Sequence, residues 1–223
     1  MTMIHQTPAQ IYKAQQRGLY EDSTHRWYAT LNFESYSDPY RKPFGPLEIL
    51  NDETLGPQQQ LTRSAKQKCL LLVPLVGTLE FVYEGETRYA EPNEAVWLPL
   101  DGGITLKNPY ETELINFLFI VFKEPCGTEA STISINLEER NSLNPFSLPG
   151  AVKAKMGIFD GRSEAVYHPK EGNGILVFVI SGAFEVSGRL LEERDALALW
   201  ETTEADMEAL SQNAVILLFE VPL

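Results

Sequence analysis

Histidine is the side chain most often asked to hold a metal or move a proton near neutral pH, and this chain offers only three: His5, His25 and His168. His5 belongs to an opening stretch expected to fray. His25 stands two residues before Trp27, where a packed, hydrogen-bonded imidazole is a simpler reading than a catalytic base. His168 has Glu164 and Glu171 close by, the donor types of a weak metal or proton-transfer site, but a lone histidine at a strand end reads first as exposed. Ser64 and Lys66 lie in Arg63-Ser64-Ala65-Lys66, a chance spacing rather than a Ser/Lys pair. There is no Gly-rich phosphate loop, no Gly-x-Ser-x-Gly elbow and no Cys-x-x-Cys motif. Of the two cysteines, Cys69 opens the apolar run Leu70-Leu71-Leu72-Val73 and is expected to be a buried free thiol rather than half of a disulfide with Cys126. Asp38 and Asp52 read as turn residues, and Trp97, Phe117 and Phe119 as core.

The elements that must position these residues are strands. Val73-Pro74-Leu75-Val76-Gly77-Thr78-Leu79-Glu80-Phe81-Val82 is echoed by Phe178-Val179-Ile180-Ser181-Gly182-Ala183-Phe184-Glu185-Val186, with Gly182 standing 105 positions after Gly77. Each copy is an apolar run that breaks at a glycine and then alternates, the pattern of a buried strand bending into the next. Strands are expected over 70–75, 78–83, 87–89, 95–98 and 114–122, and again over 131–137, 152–158, 165–167, 174–180, 183–186, 196–200 and 214–221. Residues 1–60, rich in Pro and Gly turns, read as loops and edge strands around short apolar pieces such as Leu47–Leu50. Helix is expected only as a turn or two over 8–16 and over 202–210, where Thr202 could cap an acidic first turn. The predicted fold is all-β, two similar domains in tandem. The first covers 1–123 and the second 132–223, joined by a polar linker at 124–131.

Composition excludes several functions. With 31 acidic against 18 basic residues the net charge is −13, a field that repels DNA and anionic membranes. Arg63, Lys66 and Lys68 form a short basic run best read as a solvated edge. No signal-peptide pattern opens the chain, and no run reaches the roughly 18 apolar residues that span a bilayer. The expected protein is cytoplasmic, with no direct nucleic-acid or membrane partner; its acidic surface would favour basic protein partners.

The duplicated strand-Gly-strand unit resembles the cupin superfamily, whose domains are jelly-roll barrels. The first half narrows the likeness. Arg17-Gly18, His25-Arg26-Trp27, Phe33-Glu34-Ser35-Tyr36-Ser37-Asp38-Pro39 and Phe44-Gly45-Pro46-Leu47-Glu48-Ile49-Leu50-Asn51-Asp52-Glu53, followed by Pro92 to Trp97 and Gly103-Ile104, resemble in order the pirin family and its quercetin dioxygenase-like members. That resemblance covers nearly the whole chain and implies two cupin barrels, the first holding a single divalent metal such as iron on three histidines and a glutamate. Counting from Gly77 and from Gly103-Ile104, the four ligand positions fall on Arg63, Ala65, Leu106 and Asn108. Arginine is a fixed cation without an acceptor, alanine and leucine have no donor atom, and an amide oxygen alone is a weak ligand. His168 occupies in the second copy the place of Arg63 in the first, 14 residues before the glycine, and its partner position carries Lys170.

The resemblance and the residues therefore point in different directions. The expectation is a pirin-like bicupin without the family's metal and without a cofactor, a non-catalytic protein that binds a small molecule or regulates. Arg63 and Asn108 would line a pocket for a small acidic or phenolic ligand, or Arg63 would pair internally with an acidic residue such as Glu80. The alternatives are a metal-dependent quercetin 2,3-dioxygenase-type oxidoreductase and a metal-free enzyme using the same pocket.

Overall fold

The computed structural model describes residues 7–123, 127 and 129–223, and within them the chain is strand after strand, with one short 3-10 turn at Ala14–Gln16. It separates into two compact units. One is built on Arg17–Ile135 with Ser147–Gly150, the other on Asn136–Phe146 and Ala151–Leu223 together with the stretch ending at Gln16. The boundary differs at both ends from one drawn at 124–131. Ala9–Tyr12, placed by the sequence in the first domain as a possible helical turn, is a strand of the second unit, paired with Ala196–Leu199. Ser131–Ser134, assigned to the second domain, pairs with Glu94–Trp97 in the first unit. Two short strands thus settle where they find an unpaired edge.

The first unit is a single bent sheet whose centre is the 17-residue strand Gln60–Val76, flanked by Glu94–Lys107 and Ile115–Phe122. Its two halves do different work. From Gln60 to Lys66 exposure alternates, with Leu61, Arg63 and Ala65 on the less exposed face; a register shift follows between Ala65 and Lys68, around the positive φ of Gln67; Cys69 to Pro74 are then buried throughout. Leu47–Leu55 is a central strand between His25–Ala29 and Ile115–Phe122, not the edge segment expected, and this places Asp52 in mid-strand rather than in a turn. The core inside this sheet gathers Leu55, Leu70, Leu79, Phe81, Leu106 and Phe117 with their neighbours.

The second unit is a sandwich. A six-stranded sheet runs in the order Ala9–Tyr12, Ala196–Leu199, Asn173–Ser181, Ala214–Pro222, Lys153–Phe159 and Asn144–Phe146. A four-stranded sheet runs Glu164–Tyr167, Ala205–Ala209, Phe184–Val186 and Arg189–Leu191. The helix expected over 202–210 is instead the Ala205–Ala209 strand. Ala205, Met207 and Ala209 are buried while Asp206 is exposed, a period of two that overrides the capping signal.

Both repeat glycines sit at the predicted bends with positive φ, 74° at Gly77 and 76° at Gly182. A Cβ at Gly182 would fall 2.9 Å from Ala214 Cβ and 3.1 Å from its Cα, positions that cannot swing aside. Gly182→Ala is expected to lower unfolding stability by about 1–3 kcal/mol, read as a drop in denaturant midpoint at unchanged slope. Cys69 corrects another expectation: it is fully buried and disulfide-bonded, and the chain's other cysteine, Cys126, lies outside the described residues. Among the described residues no helix is long and apolar enough to cross a membrane.

Candidate functional site

In the first unit a buried carboxylate organises the polar residues. The strand Leu47–Leu55 turns Ile49, Asn51, Glu53 and Leu55 to one face, and Ile49 and Leu55 pack on the apolar core. Glu53 is therefore carried inward, where it is fully buried. Its neighbour His25–Ala29 pairs in register so that His25 faces Leu55, Trp27 faces Glu53 and Ala29 faces Asn51. The start of that strand is pinned by Asp22, whose Oδ1 accepts hydrogen bonds from the Thr24 and His25 amides at 2.7 and 2.9 Å. Hydrogen bonds from the Thr24 and Tyr20 hydroxyls, and after them those two backbone bonds, hold the Asp22 carboxyl far below its ordinary range.

A buried carboxylate is tolerated only when its charge and lone pairs are answered. His25 Nε2 lies 2.9 Å from Glu53 Oε2, Arg63 Nη2 lies 3.3 and 3.4 Å from the two carboxylate oxygens, and Asn51 Nδ2 donates to Oε1 at 3.1 Å. Arg63 also pairs through Nη1 with Glu34. Its guanidinium is centred 4.9 Å over the Phe33 ring and 5.9 Å from that of Phe119, and Phe33 meets Trp27 edge-on at 5.1 Å. The Glu34 carboxylate is the exposed member: its side chain is 48% accessible, against 15% for Arg63 and none for Glu53. Glu34 stands in the tight Phe33–Tyr36 turn at φ 48°.

Two polar atoms in this group have no hydrogen-bond partner, Asn51 Oδ1 and Arg63 Nε. The Asn51 amide cannot be reversed to cure this, because the carboxylate beside it only accepts and so fixes Nδ2 toward Glu53. One buried acceptor and one buried donor are left open next to the same carboxylate.

The four positions singled out by the family resemblance are not brought together as a ligand set. Ala65 packs against the apolar core and Leu106 lies within it, fully buried. Asn108, expected to line a pocket, is consumed by the backbone: Nδ2 donates to the carbonyls of Leu55, Gly56 and Glu113 at 3.1, 2.9 and 2.8 Å, and Oδ1 accepts from the Tyr110 amide. Arg63 does form an internal pair, but with Glu53 and Glu34; Glu80, the partner first suggested, pairs with Lys107 at 3.3 Å. His25 is a member of the site. His168 is exposed, its Nδ1 3.2 Å from the Thr203 carbonyl, and His5 lies outside the described residues. The donor set does not fit the divalent metal that the resemblance implies, since one fixed cation stands where a ligand is needed. No group of three His, Cys, Asp or Glu among the described residues is placed to hold an ion.

Sequence reasoning missed Asn51, Glu53 and Glu34. The available signal was that Asn51 and Glu53 share the parity of Ile49 and Leu55. Asp52, of opposite parity, meets Asn116 Nδ2 at 2.6 Å and Arg17 Nη1 at 3.4 Å.

The second unit carries its own buried carboxylate, Glu220, within the apolar strand Ala214–Pro222. It accepts from Lys153 Nζ at 3.0 Å, from the Lys170 amide at 3.2 Å, and from the Tyr167 hydroxyl and Asn173 Nδ2. Burial pushes its pKa up, but these bonds together outweigh burial and leave it below the ordinary 4.5; Tyr167 is pushed up, first by burial and then by Glu220. A carboxylate with a lowered folded pKa contributes stability above its unfolded value and loses it as pH falls through the folded one. The wild type is therefore expected to lose more stability than Glu220→Gln between pH 4.5 and lower values, measured by denaturant unfolding across that range.

Residues 141–221 match the family model described as the quercetinase C-terminal cupin domain. A quercetin 2,3-dioxygenase of Escherichia coli strain K12 is 25% identical over 232 residues, covering 94% of this chain and 97% of the relative. Among solved structures, a bacterial pirin from Escherichia coli in complex with nickel(II) superposes with a TM-score of 0.86 at 19% identity, over 96% of this chain and 99% of that one. A quercetin 2,3-dioxygenase from Acinetobacter baumannii superposes with a TM-score of 0.75 at 11% identity, over 96% and 79%. At such identities the structures speak for the fold alone.

Proposed function

We propose that this chain, whose sequence is similar to quercetinase and pirin-like cupins, is a metal-free pirin-like cupin, a non-catalytic binding or regulatory protein that receives a small acidic or phenolic ligand at Arg63. The observation that carries this reading is the state of the Arg63 guanidinium. One side is committed to the buried Glu53, while the other is covered only by the half-exposed Glu34 carboxylate. Glu34 occupies the place that a ligand carboxylate or phenolate would take. A ligand anion that displaces Glu34 exchanges one carboxylate–guanidinium pair for another, and the displaced Glu34, already half exposed, returns to water. A hydroxylated aromatic acid, an anionic oxygen carried on an apolar ring, matches a guanidinium set over the Phe33 ring. Phe33 and Phe119 supply the apolar surface beside the guanidinium.

Ring-opening of a flavonol with oxygen, the reaction type of a quercetin dioxygenase, needs a metal held by donors that this site does not provide. The test is metal analysis of protein purified without chelator, together with oxygen uptake on quercetin. The expected result is substoichiometric metal and no turnover above buffer. Near-stoichiometric iron, nickel, copper or manganese with turnover would overturn the proposal.

A further inference from the structure

The second unit contains a cleft of about 580 Å3 whose lining does not include Arg63. Three segments wall it: the turn Pro169–Asn173, the loop Trp200–Thr203, and Leu223. These walls are pinned to one another. The Leu223 amide donates to the Gly172 carbonyl at 3.2 Å, the Asn173 amide to the Lys170 carbonyl at 3.0 Å, and His168 Nδ1 lies 3.2 Å from the Thr203 carbonyl. Asn173 further donates from Nδ2 to the buried Glu220. The cleft is thus built before any ligand arrives, which lowers the ordering cost of binding.

Its chemistry is one-sided. Trp200, Pro169 and Leu223 offer apolar surface, and the charged side chains lining the cleft are both carboxylates, Glu171 and Glu201. Neither carboxylate has an ion pair or hydrogen bond among the described residues, whereas Glu220 behind them is fully answered. Neither Lys170 nor His168 lines the space. A cleft lined by one indole and two unpaired carboxylates attracts a cation through Coulomb terms, to which an aromatic ring can add a cation–π contribution, and repels an anion. The net charge of −13 adds to the same preference.

We propose that this cleft binds an organic ammonium ion with an apolar body, the ammonium held by Glu171 and Glu201 and the body laid against Trp200. Calorimetric titration of the full chain with 2-phenylethylammonium chloride tests it, with uncharged 2-phenylethanol as the matched control. Saturable binding of the cation in the millimolar range or tighter is expected, with at least tenfold weaker binding of the alcohol. The Glu171→Gln/Glu201→Gln variant, altered only at exposed side chains, should weaken the cation at least tenfold, and Trp200→Phe should weaken it less. Arg63→Gln should leave this titration unchanged, which separates its outcome from that of the first site. Equal binding of 2-phenylethanol, full affinity in the double glutamine variant, or no saturable heat with the cation would each overturn the assignment.

Discussion

Glu53→Ala is expected to lower the unfolding free energy by about 3–5 kcal/mol, because it removes the centre of a buried ionic group and leaves Arg63 and His25 without their common partner. The desolvation of those two side chains is already spent in the folded state, so deletion of the carboxylate costs more than the pair itself contributed. Burial sharpens the effect: the Glu53 side chain is wholly inaccessible and that of His25 only 11% accessible. Replacing all three together, as His25→Phe, Glu53→Leu and Arg63→Met, should recover most of the loss, since a well-packed apolar trio avoids the desolvation penalty. Urea unfolding of the single and triple variants measures both. A loss below about 1 kcal/mol for Glu53→Ala would mean that the carboxylate is answered by solvent rather than by the protein.

The second large effect is on binding. Arg63→Gln keeps a polar side chain but removes the fixed charge, and a charge-assisted hydrogen bond of about 1.5–3 kcal/mol corresponds to a loss of roughly 10–150-fold in affinity for 2-hydroxybenzoate. Glu34→Gln acts in the opposite direction. It neutralises the internal competitor at Nη1 while leaving the Glu53 side of the guanidinium intact, and is expected to tighten binding up to about tenfold. Opposite shifts from two residues in contact distinguish a displaceable counterion from a purely structural pair. Because Glu34 is half exposed, its variant should fold even if Arg63→Gln is destabilised.

Much of the fold was legible because it is written locally. The break at Gly77 and its echo at Gly182 mark real bends, since only a residue without Cβ accepts that backbone beside Ile115 or Ala214. The buried runs Leu70–Val73 and Ile175–Val179 read directly as central strands. What failed depended on partners distant in sequence. Thr202 to Leu210 carries an acceptable helix cap, and only its pairing with Glu164–Tyr167 and Phe184–Val186 makes it a strand. Asn51-Asp52-Glu53 has the composition of a turn, yet pairing on both sides with His25–Ala29 and Ile115–Phe122 holds it extended.

The candidate site divides in the same way. Arg63 could be found by counting from Gly77, and Ala65 and Leu106 could be read as unable to bind a metal from their side chains alone. The partner of Arg63 could not be found by counting. Glu80 was the nearer guess in the strand pattern, but it lies opposite Lys107, while Glu53 and Glu34 arrive from strands and turns earlier in the chain. Asn108 shows the converse: its amide type suggested a pocket, and its position at a loop crossing spends every polar atom on backbone. A charged residue of core parity within an apolar strand, Glu53 in one unit and Glu220 in the other, was the signal that would have located both buried carboxylates.

The most direct measurement is calorimetric titration of 2-hydroxybenzoate into the full chain after exhaustive treatment with a chelator, compared with Arg63→Gln and Glu34→Gln under the same conditions. Metal-free reception by Arg63 predicts that the chelated wild type binds, that Arg63→Gln binds at least tenfold more weakly and that Glu34→Gln binds more tightly. Binding that vanishes on chelation and returns with a divalent metal, or that is indifferent to Arg63, would contradict it.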